Sequence, residues 1–204
     1  MRIFMSIMSA AALILFGGMA SAWALAPGDK APAFTATNAK GETVSLSDYD
    51  GKVVVLEWTN HLCPFVKKHY NAGNMQRVQR MAESLDAVWL TVNSSAEGKQ
   101  GYVEGAEALK IVDKNDAVID HYLIDPEGEL GKSYGAKTTP HMFVINTDGT
   151  IAYMGAIDDK PTADSADIAG AVNYVIDTLD AIKDGDPIPT QSSQPYGCSV
   201  KYKG

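Results

Sequence analysis

Cys63 stands between a polar loop and a proline, in the stretch KVVVLEWTNHLCPFVKKHYNAGNM that runs from Lys52 to Met75. Pro64 suits the first turn of a helix, where a missing N–H is harmless and its fixed φ is already correct. Cys63 is therefore expected to cap that helix. Free backbone N–H groups and the positive end of the helix dipole favour a thiolate there, lowering the thiol pKa and making the sulfur a nucleophile. The competing reading is a buried structural cysteine, the commoner fate of a lone cysteine in a core. The residue three after Cys63 is Val66, so a mixed disulfide at Cys63 has no neighbouring thiol to resolve it. The second cysteine, Cys198, lies 135 positions downstream, with Gly197 before it and Pro195 three before it. A mobile tail of this kind can fold back, and reach rather than spacing decides between a resolving thiol, a staple and a free cysteine.

Three further groups have chemistry in reach. Glu57, at the end of an apolar run and six residues before Cys63, is either a residue on a polar strand edge or a buried acid; burial would raise its pKa and fit it for general base work. His61 lies two before Cys63, and His141 directly follows Thr139-Pro140. Either imidazole can stabilise a thiolate. Together with the cysteines they could instead hold a soft metal such as copper(I) or zinc, although the spacing matches no standard zinc signature and the preferred reading has no metal and no cofactor. The run Lys67-Lys68-His69 reads as a solvated helix face, and His121 as a surface residue. Trp58, Trp89 and Tyr122 read as core.

The elements that must position these residues alternate between strands and helices. Val53 to Leu56 is a continuous apolar run, as in a parallel strand buried on both faces. Residues 34–37 and 43–46 flank Asn38-Ala39-Lys40-Gly41, which signals a hairpin. Apolar positions at spacings of three and four predict a helix from Pro64 to Leu85, kinked or interrupted at Gly73. A strand over 87–92 follows, then a helix over 97–112, a short strand at 122–124 and a short helix over 129–134. His141–Ile145 and Ile151–Met154 form an antiparallel hairpin. A last helix is read from Ile168 to Ile182, stopping near Gly185. Strand–helix–strand order implies parallel pairing with a right-handed crossover.

These segments resemble the thioredoxin-fold redoxins, whose active cysteine opens the helix after a central strand and whose second signature matches Thr138-Thr139-Pro140. AlaProAlaPhe at 31–34, GlyGluThrValSerLeuSerAspTyr at 41–49 and GlyLysValValValLeu at 51–56 resemble the opening of the alkyl-hydroperoxide-reductase/thiol-specific-antioxidant branch. AsnHisLeuCysProPheVal at 60–66, with GlyCysSerValLys at 197–201, resembles a peroxiredoxin-like group within it. The resemblance implies an α/β thioredoxin-like fold, a central mixed sheet flanked by helices with an N-terminal β-hairpin extension. It also implies a cis-proline at Pro140 lying against Cys63, a substrate strand held by Thr139 and Pro140, and proton relay by Glu57. The Pro-x-x-x-Thr/Ser-x-x-Cys frame of peroxiredoxin peroxidases is missing, since Leu56 and Asn60 occupy those places and Thr59 is one out of register. A thiol–disulfide oxidoreductase is therefore favoured over a thiol peroxidase, with a non-enzymatic redox sensor or copper-handling protein as the third reading. The partners expected are a protein or small-molecule disulfide or thiol and an external thiol reductant.

Residues 1–24 read as a signal peptide. Arg2 precedes an apolar core, Gly17, Gly18 and Ser21 break it before a membrane span is complete, and Ala22-Trp23-Ala24 offers a cleavage site. The mature chain is expected to be exported, periplasmic in location, and not inserted in the membrane. Residues 25–185 then form one redoxin domain, and 186–204 an irregular tail rich in proline, serine and glutamine. Losing only Arg2, the chain moves from a formal charge of −8 to −9, which argues against nucleic acid and anionic membranes as partners.

Overall fold

A computed structural model describes residues 25–204, and the expected signal peptide at 1–24 lies outside the described residues. The elements run β1 (Thr35–Asn38), β2 (Thr43–Ser45), β3 (Val54–Trp58), α1 (Pro64–Asn71), α2 (Asn74–Ser84), β4 (Val88–Asn93) and α3 (Gly105–Lys114). They continue with β5 (His121–Ile124), α4 (Glu129–Ser133), β6 (Thr138–Thr139), β7 (His141–Ile145), β8 (Ile151–Gly155), α5 (Tyr174–Asp184) and β9 (Cys198–Ser199). Among the described residues no helix is long and apolar enough to cross a membrane.

Seven strands form one mixed sheet in the order β2-β1-β5-β4-β3-β7-β8. β3, β4 and β5 are parallel to one another, whereas β7 runs antiparallel to β3 on its other side. β1 and β2 are the hairpin extension, joined antiparallel to β5. β3 is central because both its faces are apolar. Val55 points into a core built with Val66, Met75, Val78, Val175 and Leu179 of α1, α2 and α5. Val54, Leu56 and Trp58 point to the opposite face, against Leu90, Leu123, Leu130, Tyr134 and Phe143. Burying one such side chain contributes about 2 kcal/mol.

The helix read from Pro64 to Leu85 is interrupted at Gly73 as expected, because Gly73 takes a left-handed conformation (φ 69°) as the N-cap of α2. Two other helix starts differ from the sequence pattern. α3 begins only at Gly105, since Gly98 and Gly101 take positive φ and hold the preceding residues in turns. The last helix begins at Tyr174, where the Asn173 side chain accepts the N–H groups of Val175 (3.1 Å) and Ile176 (3.0 Å). Ile168 lies instead in a 3-10 segment, Ser165–Gly170.

The basic run after Cys63 is not a solvated face. Lys67 is exposed, but Lys68 and His69 are buried. Lys68 Nζ donates to the Lys160 carbonyl at 2.8 Å and lies 3.8 Å from Asp158 Oδ2, with both side chains essentially out of solvent. A buried charge persists only when paired, and removing one partner leaves the other uncompensated. Lys68→Met is expected to cost about 3 kcal/mol of unfolding free energy in urea titrations. A loss below about 1 kcal/mol, the range of exposed pairs, would contradict this burial.

Candidate functional site

β3 ends at Trp58, and the loop to α1 is tied at several points. Thr59 donates its N–H to Val92 O (2.9 Å), the Asn60 side chain accepts from Leu62 N–H (2.9 Å) and donates to Gln100 O (3.1 Å). Cys63 follows as the N-cap of α1, extended (φ −68°, ψ 126°), with Pro64 in the first turn and Lys67 N–H returning to Cys63 O at 3.0 Å. The side chain of Cys63 is fully buried.

What buries it comes from two distant segments. The Thr139–Pro140 peptide is cis, and Cys63 Sγ donates to the Thr139 carbonyl at 3.1 Å. β6 pairs antiparallel with β9 in a separate two-stranded sheet, with Thr139 opposite Cys198 and Thr138 opposite Ser199. The Thr139 hydroxyl donates to Cys198 O at 3.4 Å, and Cys198 packs against the core cluster that contains Cys63. Gly197 has φ 130°, and a Cβ placed there would come 2.1 Å from Thr139 O, so the approach requires glycine. The edge expected to receive a substrate strand is thus taken by the chain's own tail.

The tail is irregular outside β9, yet it is docked rather than loose. Ser193 N–H donates to Met154 O (3.1 Å), Val200 N–H to Lys137 O (3.0 Å) and the Tyr202 hydroxyl to Ala136 O (2.8 Å), while Lys201 O accepts from Ala96 N–H (2.8 Å).

The two thiols, both free, have opposite acidities. Burial pushes the Cys63 thiol up. The Cys198 thiol, the backbone N–H groups of Val66 and Cys198 and the Thr139 hydroxyl outweigh that and hold it below its ordinary value. Cys198 is pushed up to about 11, by burial first and then by hydrogen bonding and charge from the Cys63 sulfur. Of the two thiols Cys63 is therefore the more acidic, and Cys198 holds its proton the more tightly.

The histidines take no part in this balance. Burial holds the His61 imidazole below its usual value; its Nδ1 is buried with no hydrogen-bond partner among the described residues, and the residue lines a narrow gap with Thr59, Val66, Tyr70 and Thr91. His141 is pushed down to about 3 by burial and accepts the Lys137 N–H at Nδ1 (3.2 Å), with its ring 4.5 Å from that of Phe143. Burial thus favours the neutral form of both imidazoles, and the groups that lower the Cys63 pKa are backbone and side-chain donors rather than either histidine. Among the described residues no three His, Cys, Asp or Glu side chains converge as a metal site.

Glu57 is wholly buried. It accepts from the Tyr70 hydroxyl (2.9 and 3.1 Å), Trp89 Nε1 (3.1 Å) and the Thr91 hydroxyl (3.3 Å). Burial raises its pKa and those hydrogen bonds offset the rise only in part. Tyr70 and Thr91, which bond to Glu57, also line the gap next to His61.

Sequence reasoning missed His69, Asp158 and Tyr196. His69 is buried, with Nε2 3.2 Å from the Tyr196 hydroxyl, and Tyr196 in turn donates to Asp158. A tyrosine two residues before the tail cysteine was a visible signal; its partners, 127 and 38 positions away, were not. His121 is only half buried, hydrogen-bonded to the Asn38 amide at 3.0 Å.

The sheet order, the cysteine at a helix N-cap and the cis-proline beside it define a thioredoxin-fold redoxin. The AhpC/TSA family pattern matches residues 27–154, more than half of the chain, and the protein belongs to the AhpC/TSA family. An uncharacterized conserved protein from Geobacillus kaustophilus is similar, at 25% identity and TM-score 0.74 over 87% of this chain and 92% of that one. A DsbE-type thiol:disulfide interchange protein candidate from Chlorobium tepidum is 27% identical, with TM-score 0.52 over 64% of this chain and 84% of that one. Peroxidoxin BcpB from Mycobacterium tuberculosis shares the fold at 20% identity, TM-score 0.55, over 78% of this chain and 98% of that one. No curated protein matches the chain.

Two measurements check these assignments. In Cys198→Ser, where a hydroxyl keeps a donor beside the sulfur, the pH midpoint of Cys63 alkylation is expected below the ~8.5 of a free cysteine; a midpoint at or above it would remove the nucleophile. A carboxyl whose folded pKa is raised favours folding below its unfolded value, 4.5, and that contribution is lost as pH climbs toward the raised value. Urea titrations from pH 4 to 8 should therefore show stability shifting in favour of Glu57→Gln, relative to wild type, as pH rises. A difference that stays constant with pH would mean that Glu57 titrates normally.

Proposed function

We propose that the protein is an exported thiol–disulfide oxidoreductase with Cys63 as nucleophile and Cys198 as resolving thiol. The observation that carries this reading is the pairing of Thr139 with Cys198, which brings the tail thiol against the buried, acidified Cys63. Membership of the AhpC/TSA family and the likeness to a DsbE-type protein support thiol chemistry. The arrangement of residues 1–24 supports export, and the division at residue 185 separates the redoxin domain from the strap that crosses it.

In the proposed cycle the Cys63 thiolate attacks one sulfur of a substrate disulfide, R–S–S–R′. The S–S bond breaks, R′S⁻ leaves and takes a proton, and a Cys63–S–S–R mixed disulfide forms. Cys63 then carries no negative charge, so its contribution to the high Cys198 pKa disappears and, although burial still acts, the Cys198 thiolate forms more readily. Cys198 attacks the Cys63 sulfur, expelling RS⁻. The substrate has gained two electrons and two protons, and an external dithiol or pair of thiols returns them to the Cys63–Cys198 disulfide. Glu57, buried and of raised pKa, is assigned proton exchange with the cysteine loop through the gap beside His61, and Pro64, Thr139, Pro140 and His141 are assigned to shaping it.

A peroxidase would need donors aimed at a peroxide beside Cys63. Asn60, at the place of the peroxidase frame's hydroxyl residue, already spends its side chain on Leu62 and Gln100. Disulfide exchange is the better reading. Mass spectrometry of protein oxidised by a small disulfide should find Cys63 linked to Cys198, and Cys198→Ser should accumulate the mixed disulfide at Cys63. Oxidised protein with the two cysteines unlinked would replace this cycle by a one-cysteine mechanism using an external thiol.

A further inference from the structure

The tail reaches Cys63 between two sets of anchors. Before it, Ser193 bonds to Met154 and, through its hydroxyl, to Tyr153 (2.6 Å) and the Ala156 N–H (2.9 Å). After it, Val200 bonds to Lys137. Between them, besides the Cys198 thiol itself, Tyr196 has a side-chain polar atom bonded to the redoxin body. Its ring stands edge-on to Phe65, 5.8 Å away, and Lys68 Nζ lies 5.6 Å from its centroid. Its hydroxyl enters a buried cluster on the flank of α1, the helix that Cys63 caps.

The hydrogen bonds there form a directed chain. The Asn74 amide donates to His69 Nδ1 (2.8 Å), which leaves the proton on Nε2, and Nε2–H donates to the Tyr196 oxygen at 3.2 Å. The tyrosine proton is then committed to Asp158 Oδ1, which also accepts the Lys160 N–H at 3.0 Å. Asp158 Oδ2 has no hydrogen bond; Lys68 Nζ at 3.8 Å and His69 Nε2 at 4.0 Å face it. The charged pair is thus buried with one of its few directed donors supplied by the tail. Withdrawing Tyr196 strips that donor from a carboxylate the body cannot otherwise satisfy, which couples the cluster to docking of the segment that ends in Cys198.

We propose that Tyr196 is a positioning residue whose hydroxyl, bonded to Asp158 and His69, latches the tail and so sets the effective concentration of the Cys198 thiol at Cys63. The proposal rests on the resolving role of Cys198 given above and adds the group that controls it. The latch acts on the reaction through Cys198 and touches neither sulfur.

The test equilibrates full-length protein with oxidised and reduced glutathione and reads the Cys63–Cys198 disulfide; protein dithiol plus oxidised glutathione gives protein disulfide plus two glutathione thiols. Tyr196→Phe keeps the ring against Phe65 and Lys68 and deletes only the hydroxyl. It is expected to lower the effective concentration about tenfold, raising the reduction potential by about 30 mV. Tyr196→Ala should lower it further. A second arm follows alkylation of Cys63 by iodoacetamide in the Cys198→Ser background, where adding Tyr196→Phe should speed modification several-fold because the tail lifts more often. If wild type forms no Cys63–Cys198 disulfide, the proposed function fails, and the alkylation arm still reads the latch. A Tyr196→Phe protein matching its parent within twofold in both arms overturns the latch, whatever Tyr196→Ala does.

Discussion

The antiparallel register of β3 with β7 is the constraint on which the site depends. Trp58 lies opposite His141 and Glu57 opposite Met142, so the strand that leads to Cys63 ends where the strand that follows Pro140 begins. Two loops separated by some 75 residues therefore leave the sheet at one end. All five residues of each strand are buried, and a slip of one position would exchange their faces, turning Glu57 out of its nest of donors and Trp58 out of the opposite core. Hydrophobic burial on both sides of the sheet thus fixes the distance between a sulfur and a carbonyl.

Within that frame the acidity of Cys63 is a contest between burial and dipoles. A fully buried thiol should resist ionisation, and among the described residues it is not a cation that reverses this. Its net acidity comes from N–H, O–H and S–H donors, some on the α1 turn and some on the tail. Such donors are short-range and held by backbone pairing, so the effect depends on the tail being seated. The buried acid below follows the opposite rule: three donors surround Glu57, and desolvation still prevails. One carboxyl pushed toward its neutral form and one sulfur pushed toward its thiolate are opposite outcomes of burial, decided by how many donors face each group.

Much of this was legible in the chain because it is local. An apolar run, a polar loop and Cys63-Pro64 specify a strand, a turn and a helix cap with no long-range information, and the Asn-Thr-Asp-Gly turn at 146–149 specifies the β7–β8 hairpin. Even the interruption at Gly73 is a property of one residue. Lys68 and His69 read wrongly because what buries them, Asp158 and Tyr196, lies about 90 to 130 positions away and leaves no periodic trace. The starts of α3 and α5 were misplaced for a smaller reason. Apolar spacing continued into segments whose glycines, in the first case, and whose Asn173 cap, in the second, had already decided where the helix could begin.

Strand edges offer a last consequence. A strand with an unpaired flank is a template for other polypeptides, and proteins commonly hide such flanks. Here β6 is hidden by β9, a resident strand only two residues long, whose fit relies on the bare backbone of Gly197. While it is seated, the Cys63 sulfur is buried and the β6 flank is paired. Lifting it exposes both together and in the same place, so any chain that adds itself to the open flank is delivered to the sulfur already aligned. In the proposed cycle, adhesion and covalent capture would be a single event at this site, forestalled by a short piece of the chain's own backbone.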